Sequence, residues 1–251
     1  MRLNVENIRK LCPQNDLHYF ESIGSTMIEA ARLAVVGAPH GTIVLAEEQT
    51  AGIGRLGRSW QSDAELGIYC SILLRLSIAP SMLPIINLVL GLATAEAIQK
   101  STHVACDLRW PNDVLINGRK VAGILAQLLE NCVIAGIGIN VNQESFQPDL
   151  RTPATSLRME SGGQIQSRDN IVINLMEAVD AFCSMLKTQG PESIIRAFTS
   201  ASSYALDRRV LIEDDGRKGV TAGLDENGFL LVRFDSGRIE RIAAGGVRPD
   251  G

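Results

Sequence analysis

The chain has 251 residues, room for one large domain or a medium one with a small companion. Twenty-four Lys and Arg against 28 Asp and Glu leave a formal charge of −4, without the basic surplus of a protein devoted to a nucleic-acid backbone. A hydrophobic share of 45% with 21% charged residues excludes wholesale disorder, and an aromatic share of 4% leaves the core to Ile, Leu, Val and Ala. The five cysteines (Cys12, Cys70, Cys106, Cys132, Cys183) include no C-x-x-C pair, and His18, His40 and His103 lie far apart. A disulfide framework and a zinc site are therefore not expected, and no metal-ligand set is assigned. The N-terminus lacks a signal-peptide apolar region. The longest apolar stretch, residues 83–98, is interrupted by Asn87, Thr94 and Glu96 and reads as too short to span a membrane. The expectation is a soluble cytoplasmic protein.

In chain order, the residues before Ser25 are too few for a domain of their own. Thr26 and Glu29 have capping-box spacing and open a helix that Gly37 and Pro39 close. Residues 42–46 (TIVLA) read as a strand, followed by a glycine-rich loop and a second strand through 68–76. Residues 81–100 have helical apolar spacing. Val114-Leu115-Ile116, then Asn117-Gly118, then a second apolar run predict a hairpin, because Asn-Gly tolerates the positive φ of a type I′ turn. A strand over 133–142 and helices over 169–189 and 191–203 follow. From about Leu206, short β-rich pieces alternate with Asp-Asp-Gly, Glu-Asn-Gly and Asp-Ser-Gly, the spacing of a small antiparallel meander or barrel. The predicted organisation is a mixed α and β domain over 1–204 and an all-β domain over 205–251.

Three segments carry chemistry. The first runs from Gln49 to Trp60 and contains G-x-G-x-x-G at Gly52, Gly54 and Gly57. A dinucleotide-binding turn wants a strand directly before it and an amphipathic helix after it, and neither is predicted here. Bare glycines admit an anion to backbone N–H groups, and Arg55 and Arg58 add fork-shaped donors for phosphate oxygens. A solvated loop with two surface arginines accounts for the same residues. The second segment, residues 107–124, places Arg109, Asn112 and Asp113 before the hairpin and Lys120 just after its turn. Alternation puts Lys120 on the face of the small Ala122, free to reach into a cleft, although an edge-strand lysine that discourages aggregation fits too. The third is Val133 to Asn142. Alternation sends Ala135, Ile137, Ile139 and Val141 to the core and Gly136, Gly138, Asn140 and Asn142 to the other face. The two glycines would leave a flat floor for a planar ligand, or for close packing of a helix.

Taken together, Ser25-Thr26 at a helix start, GIGRLGRSW, RWPNDV, GRKVAGIL and GIGINVN, in that order, resemble the catalytic domain of biotin protein ligases, and the closing GGVRP region resembles their small barrel. The resemblance implies an α+β fold: a mixed β-sheet flanked by helices, akin to class II aminoacyl-tRNA synthetases, with a small C-terminal β-barrel. It implies activation of biotin by ATP to biotinyl-adenylate, then transfer to a lysine of a biotin carboxyl carrier protein. Ser25, Thr26, Gln49, Gly52, Gly54, Arg55, Lys120, Gly123, Gly136 and Gly138 would form the biotin site. Arg55, Arg58, Trp60, Arg109, Asn112, Lys120 and Asn140 would serve ATP, with Lys120, Arg55 and Asp113 at the chemistry. ATP would enter with Mg2+ as a substrate complex, biotin as a substrate, and no tightly bound cofactor is expected.

Family loops often carry more arginine and an Asn is common after Ser-Thr, so Ile53 and Leu56 in the loop and Met27 after Thr26 are departures bearing on biotin affinity. Homodimerisation is common in the family, and some members carry a DNA-binding domain. The acidic charge and the 24 residues before Ser25 predict no DNA binding and no membrane partner. The competing readings are a lipoate–protein ligase-like adenylating enzyme, an NAD-dependent oxidoreductase built on GIGRLG, and a non-catalytic biotin binder.

Overall fold

The computed structural model describes residues 2–76, 78–148 and 150–250. Its elements are α1 (Val5–Leu11), β1 (Leu17–Ile23), α2 (Thr26–Val35), β2 (Ile43–Gln49), β3 (Gly67–Leu74), α3 (Leu83–Thr102), β4 (Asp107–Arg109), β5 (Asp113–Ile116), β6 (Arg119–Leu129) and β7 (Cys132–Asn140), then α4 (Leu157–Glu160), α5 (Arg168–Gln189), α6 (Pro191–Ala201), β8 (Leu206–Ile212), β9 (Lys218–Leu224), β10 (Leu230–Arg233), β11 (Ile239–Ile242) and β12 (Val247–Pro249). The first seven strands form one sheet, in the order β1-β2-β3-β7-β6-β5-β4. Of the neighbouring strand pairs in this sheet among the described residues, β1–β2 is parallel and the others are antiparallel. The last five strands form a second, antiparallel sheet, in the order β11-β10-β9-β8-β12.

The two faces of the large sheet are covered unequally, and this positions the site. The odd-numbered residues of β7, with Val141 just beyond it, enter the main core with α3 and α5. Among the described helices, the other face is covered by the ten-residue α2 alone, where Met27, Ala30 and Leu33 pack on Val44, Leu73 and Ile134, with the Trp60 ring beside it over Gly138. Gly136 and Gly138 lie on this thinly covered face, close to the start of α2. α2 begins at Thr26 as predicted, but without a capping box: Ser25 is the N-cap and makes no side-chain cap bond, and Glu29 pairs with Arg32 instead.

The hairpin forms at Asn117 (φ 51°) and Gly118 (φ 73°). Its tip is fixed from outside by the carboxylate of Glu160, which accepts from Asn117 Nδ2 (2.8 Å), Arg119 Nη2 (2.7 Å) and the Thr155 hydroxyl. Residues Pro80–Thr102 are long and apolar enough to cross a membrane, contrary to the expectation drawn from their polar interruptions. α3 instead packs between the sheet and α5 and α6, and its buried residues include Thr94, whose hydroxyl donates to the Leu90 carbonyl. The second sheet docks on the first through Trp110, whose Nε1 donates to the Gly228 carbonyl at 3.0 Å, while Gly228 presses against Ile85 and Leu88 of α3.

Sequence reasoning missed α1 and β1. A seven-residue helix with one buried side chain, Ile8, has too little periodicity to announce itself. These elements are held by a buried carboxylate. Glu47 accepts from the Leu3 amide (2.6 Å) and the Tyr19 hydroxyl (3.2 Å), and pairs with Arg168 at 2.7 Å, both side chains 3% exposed. Removing one partner of such a pair leaves an uncompensated buried charge, so Glu47→Ala is expected to lose about 3–5 kcal/mol of stability in urea unfolding. A loss under 1 kcal/mol, roughly the surface-pair range, would show that the pair is not structural.

Candidate active site

Three adjoining hollows meet at Trp60, which lines all of them. The first, a narrow pocket of ≈ 50 Å³, lies against α2 and the floor strand β7. Thr26 walls one side, held by Gln49: the Gln49 Oε1 accepts from the Thr26 amide (2.8 Å) and hydroxyl (3.0 Å). Gln49 Nε2 in turn donates to Ser62 Oγ at 2.9 Å. Ser25, the residue before Thr26, is 2% exposed and its Oγ has no partner among the described residues. A buried hydroxyl in that state fits a ligand that supplies the missing bond.

The floor differs from the expected bare surface. A Cβ on Gly136 would stand 2.4 Å from Met27 Sδ, and one on Gly138 would stand 2.4 Å from the Trp60 ring. The glycines of β7 therefore make room for Met27 and Trp60, which lie on the floor. The glycine-rich loop is likewise more engaged than predicted. Gly52 crosses Trp60 so closely that a Cβ would meet its carbonyl at 2.4 Å, and the Gly54 amide donates to the Arg58 carbonyl at 2.7 Å. An Ile53–Ser59 bridge closes the loop around a turn at Leu56 (φ 56°) and Gly57 (φ 73°). No helix follows Gly57 before β3 among the described residues, so the dinucleotide-binding reading fails.

The cations are held by the strands and the second sheet. Lys120 Nζ stands 2.6 Å from Asp113 Oδ1 and 5.3 Å from the Trp60 ring. Its predicted placement is corrected by a bulge. Val114 opposes Ala122 but Leu115 opposes Lys120, so β6 carries one extra residue, Val121. The shift turns Lys120 to the face of Gly123, where a Cβ would sit 3.0 Å from Lys120 Nζ, and leaves Ala122 in the core. Arg109 is also relocated. It is 4% exposed, with Nη2 on Asp113 Oδ2 (2.6 Å) and on the Thr152 hydroxyl (3.0 Å), and it stands behind Asp113, lining none of the three hollows. Burial pushes the Asp113 carboxyl up, but Lys120 and Arg109 more than reverse this and hold it below the ordinary 3.8.

Arg55 reaches the same cleft from the loop. Its Nη1 donates to Asn112 Oδ1 at 2.7 Å and its Nη2 to the Gly245 carbonyl of the second sheet at 2.9 Å. Asn112 Nδ2 is tied to the Ile124 carbonyl, so this asparagine orients Arg55. Arg58 is exposed and has no ion-pair partner among the described residues. Asn140 borders the second hollow, of ≈ 210 Å³, with Nδ2 bonded to the carbonyls of Lys120 and Thr155. That hollow is also lined by Gln143, Phe146, Arg151 and Thr152, which sequence reasoning missed. The stretch 143–156 has neither period nor motif, and its only signal is its place after the floor strand.

A cleft in which a lysine and an arginine converge, next to a hollow walled by an indole, suits an enzyme that joins two anions. Comparison with known proteins agrees. The chain belongs to the biotin/lipoate A/B protein ligase family, whose profile matches residues 19–144. It is 33% identical over 234 residues to the biotin–[acetyl-CoA-carboxylase] ligase of Mycobacterium tuberculosis, covering 89% of this chain and 85% of that one. It is 35% identical over 229 residues to the bifunctional ligase/repressor BirA of Bacillus spizizenii, covering 88% and 70%. The structure of biotin protein ligase from Aquifex aeolicus in complex with biotin and ATP superposes with a TM-score of 0.80 at 31% identity, over 92% of this chain and 97% of that one.

Two outcomes are expected. Because the folded pKa of Asp113 is depressed, its ion pairs stabilise the protein above the unfolded-state value and cease to do so as pH falls through the folded one. The stability gap between the wild type and Asp113→Asn is expected to shrink as pH drops below 3.8, in denaturant titrations run across pH. A gap independent of pH would contradict the pairing. Gly138→Ala is expected to displace Trp60 and shift the tryptophan emission; an unchanged spectrum with unchanged stability would show that Trp60 does not rest on the floor.

Proposed function

We propose that the chain is an ATP-dependent biotin protein ligase acting in two steps. A biotin carboxylate oxygen attacks the α-phosphorus of ATP, the bond to pyrophosphate breaks, and biotinyl-5′-adenylate forms. The neutral amine of a carrier-protein lysine then attacks the acyl carbon, AMP leaves, and an amide remains. The observation that carries this reading is the convergence of Arg55 and Lys120 on one cleft beside the Trp60 hollow. Two repelling anions cannot meet until cations offset their charge, and donors fixed before the reaction stabilise the charge that develops in it.

In this reading the pocket between α2 and β7 takes the biotin head, with Thr26, Gln49, Gly54, Gly123, Gly136 and Gly138 lining it and Ser25 next to Thr26. Arg55 and Lys120 take the carboxylate and α-phosphate, and exposed Arg58 takes the outer phosphates with the Mg2+ that ATP brings. Trp60 and Asn140 border the base. Asp113 acts by aiming Lys120, with Arg109 holding Asp113 in turn. Residues 1–204 would carry the chemistry and 205–251 would support it, since the Gly245 carbonyl orients Arg55. The acceptor would be a biotin carboxyl carrier protein or domain. The enzyme would act in the cytoplasm as a homodimer, as the family resemblance implies, and without DNA as a partner, which the charge of −4 supports.

Labelled biotin is expected to pass to a purified carrier domain only with ATP and magnesium present. Faster ATP–pyrophosphate exchange with lipoate than with biotin would favour the lipoate reading instead. Lys120→Ala is expected to slow biotin-dependent exchange by about 100- to 1,000-fold while the variant stays folded. Near-full activity would remove Lys120 from the chemistry.

A further inference from the structure

Glu160 lines none of the three hollows, yet its carboxylate binds chain on both sides of Lys120. Its Oε1 accepts from Arg119 Nη2 at 2.7 Å, on the residue just before Lys120, and from the Thr155 hydroxyl. Its Oε2 accepts from Asn117 Nδ2 in the hairpin turn at 2.8 Å. The side chain is 5% exposed, so water competes little for these bonds. Thr155 belongs to the segment that holds the main chain of Lys120. The Lys120 amide donates to the Pro153 carbonyl at 2.7 Å, the Lys120 carbonyl accepts from the Thr155 amide at 2.9 Å, and Lys120 and Ala154 form a parallel bridge. The bulge at Val121 offsets Lys120 from the rest of the β5–β6 register, so the direction of this side chain depends on what else fixes its backbone. Residues 153–155 do so, and Glu160 ties them to the hairpin.

We propose that Glu160 is a positioning residue for adenylation: by clamping Arg119 and Thr155 about Lys120, it fixes the bulged backbone that sends the Lys120 ammonium over Gly123 and into the cleft. Asp113 aims the tip of the lysine, and Glu160 holds its root. A donor that stabilises charge in the transition state must be in place before the charge develops, so loosening the root costs rate even where the fold survives. The inference rests on the reading of the chain as an ATP-dependent ligase and adds to it a residue remote from the reacting atoms.

The test is a double-mutant cycle in biotin-dependent ATP–pyrophosphate exchange, with urea unfolding run on every variant. Glu160→Ala is expected to slow exchange by about tenfold or more, since a group misplaced by about 1 Å can cost on the order of 100-fold. In the Lys120→Ala background the same substitution is expected to change the residual rate by less than about twofold, because the group it positions is gone. Glu160→Gln keeps Oε1 for Arg119 and Thr155 and is expected to stay within about threefold of wild type. Should Glu160→Ala not fold, Thr155→Val removes one donor of the clamp and is read in the same cycle, with slowing of about threefold expected only where Lys120 is present. Equal slowing with and without Lys120, or near-full exchange by a folded Glu160→Ala, would overturn the proposal. Absence of exchange by the wild type would instead defeat the ligase reading, and this inference with it.

Discussion

One half-buried carboxylate decides where the positive charge of the cleft sits. Asp113 touches Arg109 on one side and Lys120 on the other, each at 2.6 Å. Two like charges flanking one carboxylate repel each other, and Asp113 offsets that repulsion by pairing with both. With it, Arg109 stays behind and Lys120 stands forward over Gly123, in front of the Trp60 ring. Arg55 is aimed by neutral acceptors instead, Asn112 Oδ1 and the Gly245 carbonyl, and feels the carboxylates of Asp113 and Glu213 only from a distance. Among the described residues the cleft thus holds one cation in a direct ion pair and one without, a graded field suited to holding a carboxylate next to a phosphate.

The second constraint is unmet hydrogen bonding. Buried polar atoms are nearly always paired in folded proteins. Of the four that have no partner among the described residues, Trp60 Nε1 and Gln143 Oε1 belong to residues lining the hollows, and Ser25 Oγ precedes the Thr26 wall. Only Asn15 Oδ1 lies elsewhere. Their concentration around one cleft is what a ligand-binding site shows. The glycines of β7 answer a steric need instead: they let Trp60 and Met27 rest against the strand. The tight fit at Gly52 has a different cause, the crossing of two backbones.

The fold was readable where one local rule acts alone. Alternation along β7 sorted its two faces, and Asn117-Gly118 fixed the hairpin by its need for positive φ. Most residues that line the candidate cleft were readable in the sequence, but their arrangement was not. Strand alternation placed Lys120 with Ala122, and the bulge at Val121 reversed that, because register depends on the partner strand and not on the pattern of β6 itself. Arg109 looked like a free cation because its partner Asp113 lies only four residues away on the next strand, a pairing visible once β4 and β5 are seen to fold together. Residues 143–156 carried no signal, since an irregular loop is defined by what it covers. The second sheet's contribution to the cleft, a main-chain carbonyl at Gly245, has no side chain to announce it.

The claim on which the account turns is that Lys120 and Arg55 grip the same phosphate while biotin lies against β7. A crystal structure with a non-hydrolysable biotinyl-adenylate analogue tests it directly. The account predicts the phosphate-mimicking group within about 3 Å of both Lys120 Nζ and the Arg55 guanidinium. An analogue bound elsewhere, or bound in the cleft with both cations turned away from it, would contradict it.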